Sequence, residues 1–400
     1  MSTQNPIFIP GPTNIPEKLR RAIDYPSIDH RSASFHEMLK PALDGVKRIL
    51  RTREAETLIF PATGTGAWEA AVTNTLSPGD KVLAGRYGMF SHRWIDLCQR
   101  HNLDVEIVEA PWGAAAPADA FEQILKADRT HSIKAVLVCH NETATGVRSD
   151  IAAVRRAIDA AKHPAMLFVD GVSSIASMDF RMDEWGVDIA ITGSQKGFML
   201  PPGLAILGIS PKALAAMESA TCPRCFFDFR DMARMNASGG FPYTPPVNLI
   251  RGLSVSVAML EKEGLAHVFA RHYRIAEGVR KAVEAWGLSL CARESRLYSD
   301  TVSAVVVPNG FDGTRFVTHA ADKYGVAFGV GLGEVAGKVF RIGHLGSMTD
   351  VMALAGIATA EMVMADLNFP LKLGEGVAAA QEFYRTSRCA ENASDVCVAA

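Results

Sequence analysis

Four short segments of this 400-residue chain combine chemically useful side chains with the glycines that would present them. The first, Thr63-Gly64-Thr65-Gly66-Ala67, follows the apolar Leu58-Ile59-Phe60 and opens a helical pattern. Glycines there let a ligand approach the backbone, and the free N–H groups and positive end of a helix suit a phosphate. A dinucleotide fingerprint would want a small third residue where Glu69 stands, and no Lys-Ser/Thr pair follows, so a single phosphate monoester fits better. The second segment centres on Asp170, after Met166-Leu167-Phe168-Val169. A carboxylate at the end of a buried run is costly unless it meets a cation or several donors. Taken alone, Asp170 reads equally well as a helix cap or a turn residue. The third is Gly193-Ser194-Gln195-Lys196-Gly197, after Ile189-Ala190-Ile191-Thr192 and closed by Pro201-Pro202-Gly203. Burial there would lower the Lys196 pKa and leave its amine nucleophilic toward a carbonyl. The fourth, Asn141-Glu142-Thr143-Ala144-Thr145-Gly146, follows Val136-Leu137-Val138-Cys139-His140.

Each segment sits just after an apolar run, which points to the elements that hold them. Between residues 57 and 210, strand-like runs at 57–60, 81–84, 105–109, 134–140, 165–169, 188–192 and 204–209 alternate with helical patterns. Ile151, Val154, Ile158 and Ala161 recur at the spacing of one buried helix face. Such alternation predicts an α/β fold with a seven-stranded, mostly parallel, doubly wound sheet. Ligands of these sheets bind at the carboxyl ends of the strands, where all four segments fall. A phosphate cradle, a buried carboxylate and an activated lysine form the set that pyridoxal 5'-phosphate requires. The phosphate anchors the cofactor, the lysine takes its aldehyde, and the carboxylate keeps its pyridine nitrogen protonated.

Beyond residue 210 the pattern changes. Phe241-Pro242-Tyr243-Thr244-Pro245-Pro246 leads into a helical pattern from 248 past 272, read as one long helix joining two domains. Strand-like 303–307 and 338–342, with helical 314–324 and 350–366, predict a smaller α+β domain. The expected division is 1–262 for a large cofactor-binding domain with its N-terminal segment, 263–385 for the small domain, and 386–400 for a flexible tail.

Composition narrows the function classes. Lys plus Arg total 41 and Asp plus Glu 43, a net charge of −2 without long runs of one sign, so no footprint for nucleic acid or anionic lipid is expected. No apolar run reaches membrane-spanning length, and Met1-Ser2-Thr3-Gln4-Asn5 lacks the look of a secretory signal. The 7 cysteines are an odd, scattered set, which suggests a reducing cytoplasm. Cys222-Pro-Arg-Cys225 has metal or redox spacing, yet no second pair accompanies it, so free thiols and no metal are expected. The ending Val398-Ala399-Ala400 is not of the peroxisomal type, which again favours the cytoplasm.

In order along the chain, Gly11-Pro12-Thr13, Thr63-Gly64-Thr65-Gly66, His140-Asn141-Glu142-Thr143-Ala144-Thr145-Gly146, Val169-Asp170-Gly171-Val172-Ser173-Ser174, Gly193-Ser194-Gln195-Lys196 and Phe340-Arg341-Ile342-Gly343 resemble the class V pyridoxal-phosphate-dependent aminotransferases. The resemblance is strongest to the branch of serine-glyoxylate and alanine-glyoxylate aminotransferases, and covers nearly the whole chain except the last fifteen or so residues. It implies the aspartate-aminotransferase-like fold, fold type I, and a homodimer with active sites at the subunit interface. It also implies that Lys196 bonds the cofactor and moves a proton, that Asp170 pairs with the pyridine nitrogen, and that Thr143 reaches the ring hydroxyl. Thr65, Gly66, Ala67 and Gln195 would hold the phosphate, with Tyr243 and Thr244 contributed by the other subunit; Val172 would line the cofactor site. Phe90, in Gly88-Met89-Phe90-Ser91, matches the aromatic that stacks on the ring, and Arg341 the clamp on the substrate α-carboxylate. By the same resemblance, Pro10-Gly11-Pro12-Thr13 and Asp29-His30-Arg31-Ser32 would line the mouth.

Phe90 and Ala67 depart from the Trp and His of animal alanine-glyoxylate enzymes, whereas Asn141-Glu142-Thr143 and Pro242-Tyr243-Thr244-Pro245 look like the serine-glyoxylate branch. Serine is therefore the first expectation for the amino donor and glyoxylate for the acceptor. Aspartate is the alternative, its extra carboxylate needing a cation such as Arg31 or His30; alanine is the third. A cysteine desulfurase is disfavoured because no cysteine lies between Cys291 and Cys389. A non-catalytic ligand-binding protein on the same fold is the remaining rival.

Overall fold

The computed structural model describes residues 7–387. Its larger sheet has seven strands, in the order Glu56–Phe60, Ala205–Ile209, Ile189–Gly193, Met166–Asp170, Ile133–Cys139, Lys81–Arg86 and Asp104–Glu109. The middle strands are almost wholly buried because helices cover both faces, which is why their sequences read as unbroken apolar runs rather than as alternations. Only Ala205–Ile209 runs antiparallel to its neighbours, so the sheet is mostly parallel as expected. Crossover helix Ile151–Ala160 buries Ile151, Val154 and Ile158 against it, and begins where the Asp150 side chain accepts the Ala153 N–H. In register, Cys139 lies beside Asp170, and Asp170 beside Ile191. The strand ends that lead into the candidate segments therefore meet along one edge of the sheet.

A second core gathers around Phe316, Phe328, Phe340 and Ile357 in the C-terminal part. Its five-stranded sheet runs Ile7–Phe8, Ala327–Val330, Val339–Gly343, Val302–Val306 and Ser289–Leu290. Helices Gly313–Tyr324 and Asp350–Asp366 fall where the pattern put them. Ile7–Phe8 pairs in parallel with Ala327 and Phe328, so the amino-terminal end of the described chain is bonded into the carboxyl-terminal sheet. Two-residue strands carry too little pattern to be read in advance.

One expectation is corrected. The long helix from residue 248 is two helices, Val247–Glu263 and Leu265–Ala285, separated at Gly264 with φ of 82°. That left-handed conformation is one glycine adopts without a Cβ clash, and it redirects the chain. The first helix buries Ile250, Leu253 and Val257 in the large core, and the second buries Ile275 and Val279 in the small one. The tail expected at 386–400 lies, from residue 388 on, outside the described residues, as do Cys389 and Cys397.

Candidate active site

Along the edge where those strands end, a cleft is lined by Gly11, Thr65, Phe90, Thr143, Asp170, Val172, Gln195 and Lys196, among others. At one end lies the start of helix Gly64–Thr75. The Thr63 side chain does not cap this helix, and the N–H groups of Gly64, Thr65 and Gly66 donate to no backbone carbonyl among the described residues. Three unspent donors at a positive helix end form an anion site. The Ala67 N–H, by contrast, is bonded to Thr63 O at 3.0 Å and its side chain is fully buried. Beside the cradle, the buried Oε1 of Gln195 has no partner. Gly64 is required for closeness: a Cβ there would come within 2.5 Å of Val172 Cγ2.

At the centre, Asp170 is 5% exposed. Its Oδ1 accepts the Val172 N–H at 2.8 Å, and its Oδ2 only the Cys139 thiol at 3.5 Å. Burial pushes its pKa up to about 7, with the Val172 N–H opposing and Glu142 adding to the rise. Lys196, half-buried, donates from Nζ to Pro10 O. Burial draws its pKa down to about 8, helped by Arg341 and opposed by Asp170. The segment around Gly11 is tied down by Thr13 N to Gln195 O at 3.2 Å and Thr13 Oγ1 to Lys196 O at 3.3 Å. Gly11 has φ of 103°, and a Cβ on it would overlap the Lys196 side chain. Only glycine lets the amino-terminal strand close over the lysine.

At the other end Arg341 is 6% exposed, yet it makes no salt bridge among the described residues. Its Nε donates to Val330 O at 2.8 Å and its Nη1 to Thr143 O at 3.0 Å. Burial lowers its pKa to about 10, against the opposing field of Glu142. Thr143 Oγ1 lies 2.6 Å from Ser173 Oγ, and Asn141 Nδ2 donates to Ser173 Oγ at 2.8 Å. A nucleophilic amine and an under-satisfied carboxylate thus share one cleft, and the guanidinium of Arg341, bonded to the cleft residue Thr143 and felt by the Lys196 charge, lies next to it.

Not every expected residue is there. Tyr243 and Thr244 lie outside the cleft of their own chain; Tyr243 stacks on Phe226 at 4.2 Å and donates to Phe226 O at 3.0 Å. His30, Arg31 and Ser32 line a different hollow with His36, Met235 and Phe241, so within one chain they do not reach the mouth. Trp68, Ser173 and Pro202 line the cleft without having been singled out. Glu142, within the Asn141–Gly146 segment, is fully buried. Its signal was a charged residue within a stretch directly continuing a buried strand. Cys222 is buried and Cys225 exposed, and no metal-ligating cluster occurs among the described residues.

This fold and cleft define an aminotransferase of the pyridoxal-phosphate type. The aminotransferase class-V family matches residues 20–341, and the chain belongs to that family. It is 70% identical over 390 residues to the L-aspartate–glyoxylate aminotransferase of Paracoccus denitrificans, covering 98% of both chains. To the serine–glyoxylate aminotransferase of Hyphomicrobium methylovorum it is 53% identical over 380 residues, 94% of each. The crystal structure of pyridoxamine-pyruvate aminotransferase from Mesorhizobium loti superposes with a TM-score of 0.89 at 29% identity, covering 96% of this chain and 97% of that one. The protein is a fold type I transaminase and its cofactor is pyridoxal 5'-phosphate. The residues present fit that group: unspent N–H donors at a helix start for a phosphate, and an uncompensated buried carboxyl for a ring nitrogen.

Proposed function

We propose that this enzyme moves the amino group of L-aspartate to glyoxylate, giving oxaloacetate and glycine in two half-reactions that share one site. The observation that carries the choice of donor is the 70% identity to an L-aspartate–glyoxylate aminotransferase over almost the full length of both chains. L-Serine, the first expectation from the motifs, is the second reading, favoured by the 53% identity to a serine–glyoxylate enzyme.

In this reading Gly64, Thr65, Gly66 and Gln195 hold the cofactor phosphate, Thr143 faces the ring hydroxyl, Phe90 covers one ring face and Val172 the other side. Asp170 keeps a proton on the ring nitrogen, and Lys196 is the amine that bonds the cofactor's aldehyde carbon. Bound pyridoxal phosphate supplies an electron-accepting ring that stabilises negative charge at the substrate α-carbon. Arg341 fixes the α-carboxylate through its free edge, which aims the Cα–H bond. Lys196 Nζ, whose hold on a proton is weakened by burial, would carry the proton of the substrate α-carbon. The Pro10 to Thr13 segment, packed on Lys196, keeps water from the amine.

The working unit is proposed to be a homodimer, in which the partner's Tyr243 and the partner's Thr244 complete the phosphate site. The exposed Phe226 and its stacked Tyr243 support a subunit contact there. The division into 1–262 and 263–385 is kept, with Ile7–Phe8 moving with the small sheet. The setting is proposed to be the cytoplasm, supported by free thiols at Cys98, Cys139, Cys222, Cys225 and Cys291. No helix among the described residues is long and apolar enough to cross a membrane.

The test is a half-reaction: mix the yellow holoenzyme separately with L-aspartate, L-serine and L-alanine, follow loss of visible absorbance, then add glyoxylate. Fastest bleaching by aspartate with recovery on glyoxylate supports the proposal. Fastest bleaching by serine transfers the assignment to the second reading, and a coloured protein that no donor bleaches sinks both.

A further inference from the structure

One buried carboxylate, next in the chain to the cleft residue Thr143, is left without a task by the reaction above. Glu142 is 0% exposed. Its oxygens accept four backbone contacts: Phe90 N at 3.2 and 3.1 Å, Ser91 N at 3.0 Å and Ala144 N at 3.2 Å. Phe90 and Ser91 lie in the first turn of helix Met89–Arg100, whose preceding residue is Gly88. An anion at that position faces unspent N–H groups and the positive helix end. The contact is close enough to demand glycine at 88, since a Cβ there would overlap Glu142 Cγ, Cδ and Oε2. The next residue along, Thr143, lines the cleft and offers its carbonyl to Arg341 Nη1 at 3.0 Å. One short segment therefore carries the residue at the ring edge and is bonded both to the residue over the ring face and to the clamp for the substrate carboxylate.

We infer that Glu142 is a positioning residue: by binding the start of the Phe90 helix to the segment carrying Thr143, it fixes the height and tilt of Phe90 over the cofactor ring relative to Arg341. This rests on the cofactor reading of the cleft given above. A carboxylate suits the task because both its oxygens only accept, and all the backbone groups that face it donate. Gln at this place would turn a donor toward an N–H and release one of the anchors, while keeping the size.

The experiment adds pyridoxal 5'-phosphate to the apo form of the full chain and measures its dissociation constant and the visible circular-dichroism band per bound cofactor. E142Q is expected to weaken binding about tenfold, the scale of losing a buried hydrogen bond to a charged group, and to alter the band. G88A, which keeps the charge but pushes the carboxylate aside, should shift both in the same direction, and decides the matter if E142Q does not fold. In an F90A background the added E142Q change should weaken binding less than about twofold, because the effect runs through Phe90. An unchanged band and affinity in E142Q, or the same tenfold loss with and without Phe90, would overturn the inference. A wild-type chain that gives no band at all would overturn the reading of the cleft, whereas a normal wild-type band that survives both E142Q and G88A overturns only the role of Glu142.

Discussion

Two buried arginines stand in the carboxyl-terminal half, and they are treated in opposite ways. Arg280 is 5% exposed; it donates to Asp300 Oδ1 and Ser299 O, each at 2.8 Å, and to Glu277, between the rings of Tyr273 and Tyr298. Burial works against its charge, but Asp300 and Glu277 more than offset this and its pKa is raised. Arg341, equally buried, has only two carbonyls, and burial wins. The acids repeat the contrast. Glu361 accepts Trp286 Nε1 at 2.9 Å and three backbone N–H groups, while Asp170 has one N–H and a thiol. A buried charge that holds the fold together finds its partners within the chain. One that awaits a ligand is left short, and the shortfall marks the site.

The contrast is broken most sharply at Lys196. Lys196→Ala should cut turnover by about 10⁴-fold, the upper range for a positioned proton carrier, and abolish the covalent link to the cofactor. The same change should leave the melting temperature of the apo protein level or higher, because the amine it removes is buried with only a carbonyl for partner. A clear fall in apo stability, read by thermal melting, would mean that Lys196 is structural after all.

The arginine pair offers the next test. Arg341→Ala should lower kcat/KM for every amino and oxo acid by a factor of roughly 30 to several thousand, corresponding to about 2–5 kcal/mol for a desolvated charge pair. An effect confined to one substrate would argue against a carboxylate clamp. Arg280→Ala leaves Glu277 without its partner and Asp300 with only Arg148 at 3.6 Å, and should destabilise the fold by about 3 kcal/mol in denaturant melts, with little change in KM for the molecules that survive. If the two variants behaved alike in both assays, the division between satisfied and unsatisfied charges would have no functional content.

Much of this was legible in advance, for a physical reason. A strand buried on both faces must be an unbroken apolar run, so the inner strands of the large sheet, and the polar segments at their ends, stood out. The positions of Asp170, Lys196 and the Gly64 turn followed from that rule, whereas Phe90 and Arg341 needed the family resemblance, because an aromatic in an apolar neighbourhood and an arginine on a strand look ordinary. What was missed depends on contacts between distant segments. Ile7–Phe8 is too short to show a period, yet it pairs with Ala327 and Phe328. The break at Gly264 was masked by apolar spacing that continues on both sides. His30 and Arg31 face a separate hollow, which local sequence does not disclose.

The smallest expected effect refines the comparison of the two acids through pH. Asp170 has a folded pKa of about 7, above its ordinary 3.8, so between these values the folded apo chain binds more proton than the unfolded one. The stability contributed by that proton is fully present below pH 3.8 and is lost as pH rises through about 7, so the apo protein should weaken across this window. Lys196, with a folded pKa of about 8 instead of 10.5, acts in the opposite sense: its contribution is present above 10.5 and lost as pH falls through 8. The apo chain should therefore be least stable near pH 7 to 8, where both groups are charged or half-charged in the folded cleft. Asp170→Asn carries no such proton, and its melting curve should fall less steeply with pH between 4 and 7 than that of the wild type. Parallel curves for the two proteins would mean that Asp170 is already compensated without a ligand, like Glu361, and that the shortfall at the centre of the cleft is not real.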